Sequence, residues 1–406
     1  MGGAEVALLN ILAALRTAQP EWDLHLIVSG DGPLVARAKA LGVSVITLRL
    51  SSRLARMGDA SAGGPSGSEV NRLRLLCRLL FATPAIAAYV FKLRKTLRRL
   101  NPDIIHSNGF KMHILGALAR PARTPLVWHV HDYVSSRPFM YRLIRFFQNR
   151  CSLVLANSDS VKRDIESVCG ETLKVQTIYN AVDTSEFSPE GPRLDLDELS
   201  GLPSHPNDRV VRVGLLATFA RWKGHEVFLR ALSFLPADLP VRGYIVGGAL
   251  YQTDASQYSI EELTALARQL GVSHRVGFTG FVERPAAAMR SLDIVVHAST
   301  QPEPFGLVIV EGMASGRAVI ASESGGAAEL IQTNTCSNGS PEISALSHAP
   351  GDAKTLAERI TELCRDPLLR VLLGAAGRAT AISRFNMARL AKELVPIYQG
   401  LSSSTI

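Results

Sequence analysis

Two carboxylates, Glu303 and Glu311, stand eight positions apart around the segment Glu303-Pro304-Phe305-Gly306. An apolar strand pattern, Asp293 to Ala298, precedes them, and Leu307 to Ala314 reads as a helix. In an open α/β sheet, ligands gather at the carboxyl ends of the strands. A helix that starts there offers spare N–H groups and a partial positive charge to an anion. Glu303 then stands at the mouth of the site. Glu311 lies about two helical turns further in, on roughly the same face. A carboxylate can accept two hydrogen bonds from a vicinal diol, and Gly306 lets a ligand approach the backbone closely. The pair suits a ligand with a diphosphate and several hydroxyls, a nucleotide sugar.

Arg221 and Lys223 follow an apolar segment that ends near Leu216, and Gly224 then opens a helix. Two cations at a helix start make a diphosphate clamp and stabilise charge on a departing nucleoside diphosphate. His131 ends the apolar segment Pro125–Val130, with His129 on the same strand face. Asp132 is placed either to orient His131 or to face solvent. No D-x-D motif stands at a strand end in this chain. The basic clamp is therefore expected to neutralise a diphosphate without a metal, and no cofactor is expected. The five cysteines (Cys77, Cys151, Cys169, Cys336, Cys364) lack metal-ligand spacing and, being odd in number and dispersed, suit a reducing compartment.

These residues need a scaffold. At 406 residues with 47% apolar content, the chain favours two domains with two buried cores. Near-continuous apolar runs of strand length recur at Leu24–Ser29, Val43–Leu48, Asp103–Ser107, Pro125–Val130 and Ser152–Asn157, with helical patterns between them. The second half repeats the scheme at Val210–Ala217, Val241–Gly247, Val276–Phe278, Ile294–Ala298 and Ala318–Ala321. Such alternation predicts two doubly wound parallel sheets. The polar, proline-bearing stretch around 184–206 reads as a linker. Residues 52–69 read as a surface loop, and Gln332 to Pro350 as a loop rich in Ser, Thr and Asn.

Net charge is +8 and uneven. Residues 1–185 hold 24 Lys/Arg against 13 Asp/Glu, and the remainder is slightly acidic. The first half thus points to an anionic partner. Around Pro84, one or two amphipathic helices place Ile86, Val90, Leu93, Leu97 and Leu100 on one face and Lys92, Lys95, Arg98 and Arg99 between them. That is a solvated basic face or a surface for anionic lipid head groups. No recognised nucleic-acid motif accompanies the charge, so no nucleic-acid partner is expected. The longest apolar run, Leu79 to Phe91, is 13 residues, against the about 20 a membrane span needs. No secretory leader pattern opens the chain.

Taken together, Gly2-Gly3-Ala4-Glu5, Trp128-His129-Val130-His131-Asp132, Ile178-Tyr179-Asn180-Ala181-Val182-Asp183, Arg221-Trp222-Lys223-Gly224-His225-Glu226, the glutamate pair, and Ser324-Gly325-Gly326 with Glu329 resemble the retaining GT-B glycosyltransferases of family 4 (group 1), in that family's order. The resemblance implies two Rossmann-like domains facing across a cleft. The expected boundaries are 1–183 plus 387–406 for the acceptor side and 207–386 for the nucleotide-sugar side, with Met387 to Leu401 crossing back to the first domain. It implies that Glu303 bonds donor-sugar hydroxyls and that Glu311 bonds the ribose. The backbone of Phe305, Gly306 and Leu307, together with Gly2 and Gly3, would lie along the sugar and diphosphate. Lys223 and Arg221 would clamp the phosphates, and His131 would face the reacting sugar.

The chain departs from the family in three ways. Thr218 stands where many relatives carry an arginine five residues before the lysine. The family's short glycine-bearing hairpin after Glu329 is replaced. The first central strand, which normally precedes the Gly-Gly loop, is missing from the sequence at hand. The implied reaction moves a sugar from a nucleoside-diphosphate sugar to an acceptor hydroxyl on a saccharide or lipid-linked acceptor, with anomeric configuration kept. The implied location is the cytoplasm, or the inner face of the membrane. A nucleotide-sugar epimerase and a binding-only relative remain open on sequence.

Overall fold

The structure is a computed structural model that describes residues 1–51, 69–170, 172–203, 210–249, 256–331, 334–335 and 341–403, with the backbone alone in 69–82, 334–335 and 341–342. The expected loop at 52–69 lies outside the described residues except for its last position. Two compact units are present: Met1–Ala181 with Met387–Ile406, and Val182–Asn386.

The first unit runs α1 (Gly3–Ala18), β1 (His25–Val28), α2 (Pro33–Ala40), β2 (Ser44–Thr47), α3 (Glu69–Leu100), β3 (Ile105–Asn108), α4 (Phe110–Ala119), β4 (Leu126–Val130), α5 (Pro138–Phe147), β5 (Leu153–Ala156), α6 (Asp159–Cys169) and β6 (Val175–Thr177). Its strands form two parallel sheets, β1-β2 and β3-β4-β5-β6. Every residue of β4 and β5 is buried, as expected where helices cover both faces of a parallel sheet. Pro84 lies inside α3, so the segment read as one or two helices is a single helix. Tyr89, Leu93 and Leu97 of α3 are buried, whereas Lys92, Arg94, Lys95, Arg98 and Arg99 are exposed.

The second unit continues with α7 (Leu196–Ser200), β7 (Val211–Leu216), α8 (His225–Ser233), β8 (Val241–Val246), α9 (Ile260–Gln269), β9 (Val276–Gly280), α10 (Pro285–Arg290), β10 (Ile294–His297), α11 (Leu307–Ala314), β11 (Ala318–Ser322), α12 (Gly326–Leu330), the short pair β12 (Asn334–Thr335) and β13 (Pro341–Glu342), β14 (Leu346–His348), α13 (Ala353–Arg365) and α14 (Pro367–Arg384). The last helix, α15 (Met387–Ser403), belongs to the first unit and packs on α1. The main sheet of the second unit is parallel, in the order β14-β11-β10-β7-β8-β9. Its chain order reverses at β7 beside β10, the switch point where such sheets take ligands.

Two expectations change here. The stretch read as a linker belongs to the second unit. Phe187 and Leu196 are buried, and Asp197 of α7 accepts from Arg242 and Tyr244, each at 2.6 Å. A buried carboxylate needs such partners, and they pin the segment to β8. The stretch read as a loop up to Pro350 contains β14, which pairs with β11.

Candidate functional site

Lys223 and Glu303 meet at the switch point. Lys223 closes the turn after β7, and Glu303 lies in the loop after the adjacent β10. The Lys223 Nζ stands 2.7 Å from Glu303 Oε2 and 3.0 Å from Oε1. Local sequence makes this possible. Gly224 takes φ +77°, and a Cβ there would lie 1.8 Å from the Ala298 carbonyl oxygen, so only glycine lets the turn close against β10. The Glu303 backbone is held by a bridge to Gly325: its N–H donates to Ser324 O, and its carbonyl accepts from Gly326 N–H at 2.7 Å. The Ser324-Gly325-Gly326 motif thus supports the first carboxylate through space.

Glu303 is buried at 7% exposure and carries a dense donor set. His297 Nε2 at 3.0 Å and Ser299 Oγ at 2.8 Å both donate to Oε2. Burial alone would raise the carboxyl pKa. The Lys223 charge and the His297 hydrogen bond overcome it and hold the group well below the ordinary carboxylate range. Glu303 is therefore ionised and pre-oriented.

Glu311 has the opposite electrostatics. Burial pushes its carboxyl up to about 7, and the charge of Glu186 adds to the shift. It lies on α11, whose cap Gly306 takes φ +96°. Leu307 begins the helix, and in its first turn the Ile309 N–H donates to the Gly306 carbonyl at 3.0 Å. Phe305 points inward, with its ring 6.0 Å from that of Phe385. Arg221 is engaged elsewhere. Its guanidinium donates to Glu262 at 2.7 Å and lies 4.4 Å over the Tyr258 ring. Glu262 also completes the capping box of α9 with Ser259, so Arg221 ties its turn to that helix start.

In the first unit, Gly2 and Gly3 are the start of α1 rather than a free loop. Gly2 is the N-cap, and its N–H donates to Glu5 Oε2 at 2.8 Å. His131 follows β4, and its Nε2 donates to Asn108 Oδ1 at the end of β3. Asn108 in turn donates to Ala4 O at 3.1 Å, which links His131 to the first turn of α1. Asp132 does not orient His131, because it accepts from Tyr133 N–H and Arg137. Burial lowers the His131 pKa to about 3, with a further contribution from His106. His131 is thus a neutral imidazole that bonds through Nε2, and its Nδ1 is buried without a partner among the described residues. The His129 ring lies 4.0 Å away. His106 bonds Tyr398 at 2.7 Å, and His113 stacks on Trp128.

Sequence reasoning missed three residues, Asn108, His297 and Ser299. His297 carried a signal, as a lone polar residue at the end of the apolar run Ile294-Val295-Val296. Among the described residues, no group of three or more His, Cys, Asp or Glu side chains is placed to hold a metal.

Comparisons with known proteins agree with this architecture. The family model for glycosyl transferases group 1 matches residues 207–366, and that for glycosyltransferase family 4 matches residues 1–186. Two units with parallel Rossmann-like sheets, together with these matches, define a GT-B glycosyltransferase. This chain belongs to group 1, family 4 of that class. The crystal structure of Anabaena HepE in complex with UDP aligns with a TM-score of 0.74 at 26% identity, over 98% of this chain and 96% of that one. A GDP-mannose-dependent alpha-(1-6)-phosphatidylinositol monomannoside mannosyltransferase of Mycolicibacterium smegmatis is 28% identical over 71% of this chain and 73% of its own. A D-inositol 3-phosphate glycosyltransferase of Corynebacterium jeikeium is also 28% identical, over 74% and 72%.

Proposed function

We propose that this glycosyltransferase is a retaining, metal-independent enzyme that moves a sugar from a nucleoside-diphosphate sugar to an acceptor hydroxyl. The product would be a cell-surface glycan or a lipid-linked saccharide. The observation that carries the reading is the Lys223–Glu303 pair at 2.7 Å, at the switch point of a parallel sheet. Lys223 meets the diphosphate and balances the charge of the departing nucleotide. Glu303 accepts from sugar hydroxyls, Glu311 from ribose hydroxyls, and the turn Phe305-Gly306-Leu307 lies along the diphosphate. His131, held by Asn108, faces the acceptor side of the reaction, and Gly2 and Gly3 approach the donor at the start of α1. Arg221 acts through its turn rather than on phosphate.

Glu303 is committed to Lys223, His297 and Ser299, which leaves it poorly suited to attack an anomeric carbon. A same-face, oxocarbenium-like step follows, in which the departing phosphate oxygen takes the acceptor proton. The cationic face of α3, beside the 70%-exposed Phe91, supports peripheral contact with an anionic membrane surface from the cytoplasmic side. Among the described residues, no helix is long and apolar enough to cross a membrane.

HepE is described in complex with UDP-glucose, and the mycolicibacterial relative is named for GDP-mannose. The test is thermal stability with UDP, GDP and ADP and their common sugars. Ligand at a hundred times its dissociation constant stabilises by about 2.7 kcal/mol. A shift with one nucleotide class, lost in Glu311→Ala and Lys223→Ala, supports the site. A folded protein that responds to none of them overturns it.

A further inference from the structure

We propose that His297 and Ser299 are positioning residues that sequester Glu303 Oε2, so that Oε1 is the oxygen that reads the donor sugar. The proposal rests on the reading above that Glu303 contacts that sugar.

A carboxylate oxygen has two lone pairs in plane. Oε2 has three donors within 3.0 Å: Lys223 Nζ at 2.7 Å, Ser299 Oγ at 2.8 Å and His297 Nε2 at 3.0 Å. It has no capacity left for a ligand hydroxyl. The donor set also fixes the rotation of the carboxylate, because His297 and Ser299 approach from the β10 side and Lys223 spans both oxygens. The two residues are themselves anchored. The His297 carbonyl lies 3.3 Å from His348 Nε2 of β14, and the Ser299 carbonyl accepts from Ser322 Oγ of β11 at 2.7 Å. Three neighbouring strand ends therefore hold one carboxylate, the rigid support a recognition group needs.

The imidazole is costly where it stands. His297 is 4% exposed, and its Nδ1 is buried with no partner among the described residues. An unsatisfied buried nitrogen is a penalty that an aliphatic side chain would avoid. The rest of β10 is aliphatic. A local rule broken without a packing gain marks a functional position, and the group that benefits is Glu303.

The experiment compares wild type with His297→Leu, His297→Gln and Ser299→Ala. It measures affinity for UDP and UDP-glucose, and for GDP and GDP-mannose, using the pair in which wild type binds the sugar nucleotide more tightly. His297→Leu is expected to keep its affinity for the bare diphosphate within about twofold. It should lose roughly tenfold in affinity for the sugar nucleotide, on the scale of one lost hydrogen bond to a charged group. His297→Gln, whose amide reaches the same oxygen, is expected to restore most of that loss. Ser299→Ala should show a smaller loss of the same kind, and it carries the test if His297→Leu does not fold. Equal affinities in all variants would overturn the proposal, as would equal losses for nucleotide and sugar nucleotide. A wild type that binds no nucleotide at all instead overturns the donor reading beneath it.

Discussion

Each unit holds a buried polar cluster beside a parallel sheet, yet the two treat charge in opposite ways. After β10, a buried carboxylate is met by an ammonium, an imidazole and a hydroxyl. Around β3 and β4, four imidazoles (His106, His113, His129 and His131) cluster without a carboxylate among their hydrogen-bond partners in the described residues. Several of their ring nitrogens are buried and unpartnered among the described residues. The first cluster is ionic and compensated. The second is neutral because ionisation there is too costly. A buried carboxylate stays charged where cations and hydroxyls meet it, whereas buried imidazoles without such partners stay neutral hydrogen-bonding groups.

Acid is the sharpest probe of this contrast and should have the largest effect. In the unfolded chain the imidazoles protonate near 6.5. In the fold, burial lowers His106 to about 4, His131 to about 3, and His113 and His129 well below the ordinary value. The unfolded state therefore binds the extra protons. Stability of the first unit falls as pH drops below about 6.5, by up to roughly 1.4 kcal/mol per pH unit for each imidazole. In the second unit the low pKa of Glu303 leaves its contribution intact until pH falls below the ordinary carboxylate value. Glu311, raised to about 7, stabilises the fold as it takes up a proton below neutrality and partly offsets His225 and His348. Hydrogen exchange at pH 7 and 5.5 should show the β4 amides losing protection before those of β10. The reverse order would break the comparison.

Lys223→Ala comes next. It leaves Glu303 buried without its main counter-charge, which costs about 3 kcal/mol or more. It should also lower kcat/KM by roughly a hundredfold, as for loss of one group that stabilises transition-state charge. Adding Glu303→Gln should recover part of the stability and none of the turnover, as read by melting curves and initial rates. Full additivity of the two substitutions would deny that the pair is coupled.

A smaller effect is expected at Glu311. Its carboxyl is about half ionised near pH 7. If the ionised form binds the ribose, nucleotide affinity should fall about fivefold between pH 7 and pH 6. Titration calorimetry across that range should show the slope in wild type and a flat profile in Glu311→Gln. The smallest effect belongs to Arg221→Ala. That guanidinium is spent on an exposed ion pair with Glu262, and such pairs are worth about 0–1 kcal/mol. Donor affinity should change less than threefold, and a loss as large as that of Lys223→Ala would return Arg221 to the phosphates.

Much of this was legible beforehand. The apolar runs placed ten strands within a few residues of where they lie, most plainly for β4, β5, β8, β10 and β11, which are buried throughout and so favour apolar side chains. β14 was missed because its sequence, Leu346-Ser347-His348, has no apolar run. The segment 184–206 looked like a linker because its anchors are two isolated apolar residues, Phe187 and Leu196, and the polar contacts of Asp197 with Arg242 and Tyr244, which leave no hydrophobic period. Glu303 and Lys223 were identifiable one by one from motif and position. Their contact across 80 residues was not.

The sequence by itself determined the class and the two parallel α/β units, and it named the candidate residues for the chemistry. Spacing and side-chain type act locally, through helix starts, strand periods and glycine turns. The tertiary structure decided the charge states and the partners. It set Lys223 and His297 against Glu303, gave Arg221 to Glu262, and made Asn108 rather than Asp132 the support of His131. Desolvation and hydrogen bonding depend on what surrounds a group in space, and chain order does not encode that directly.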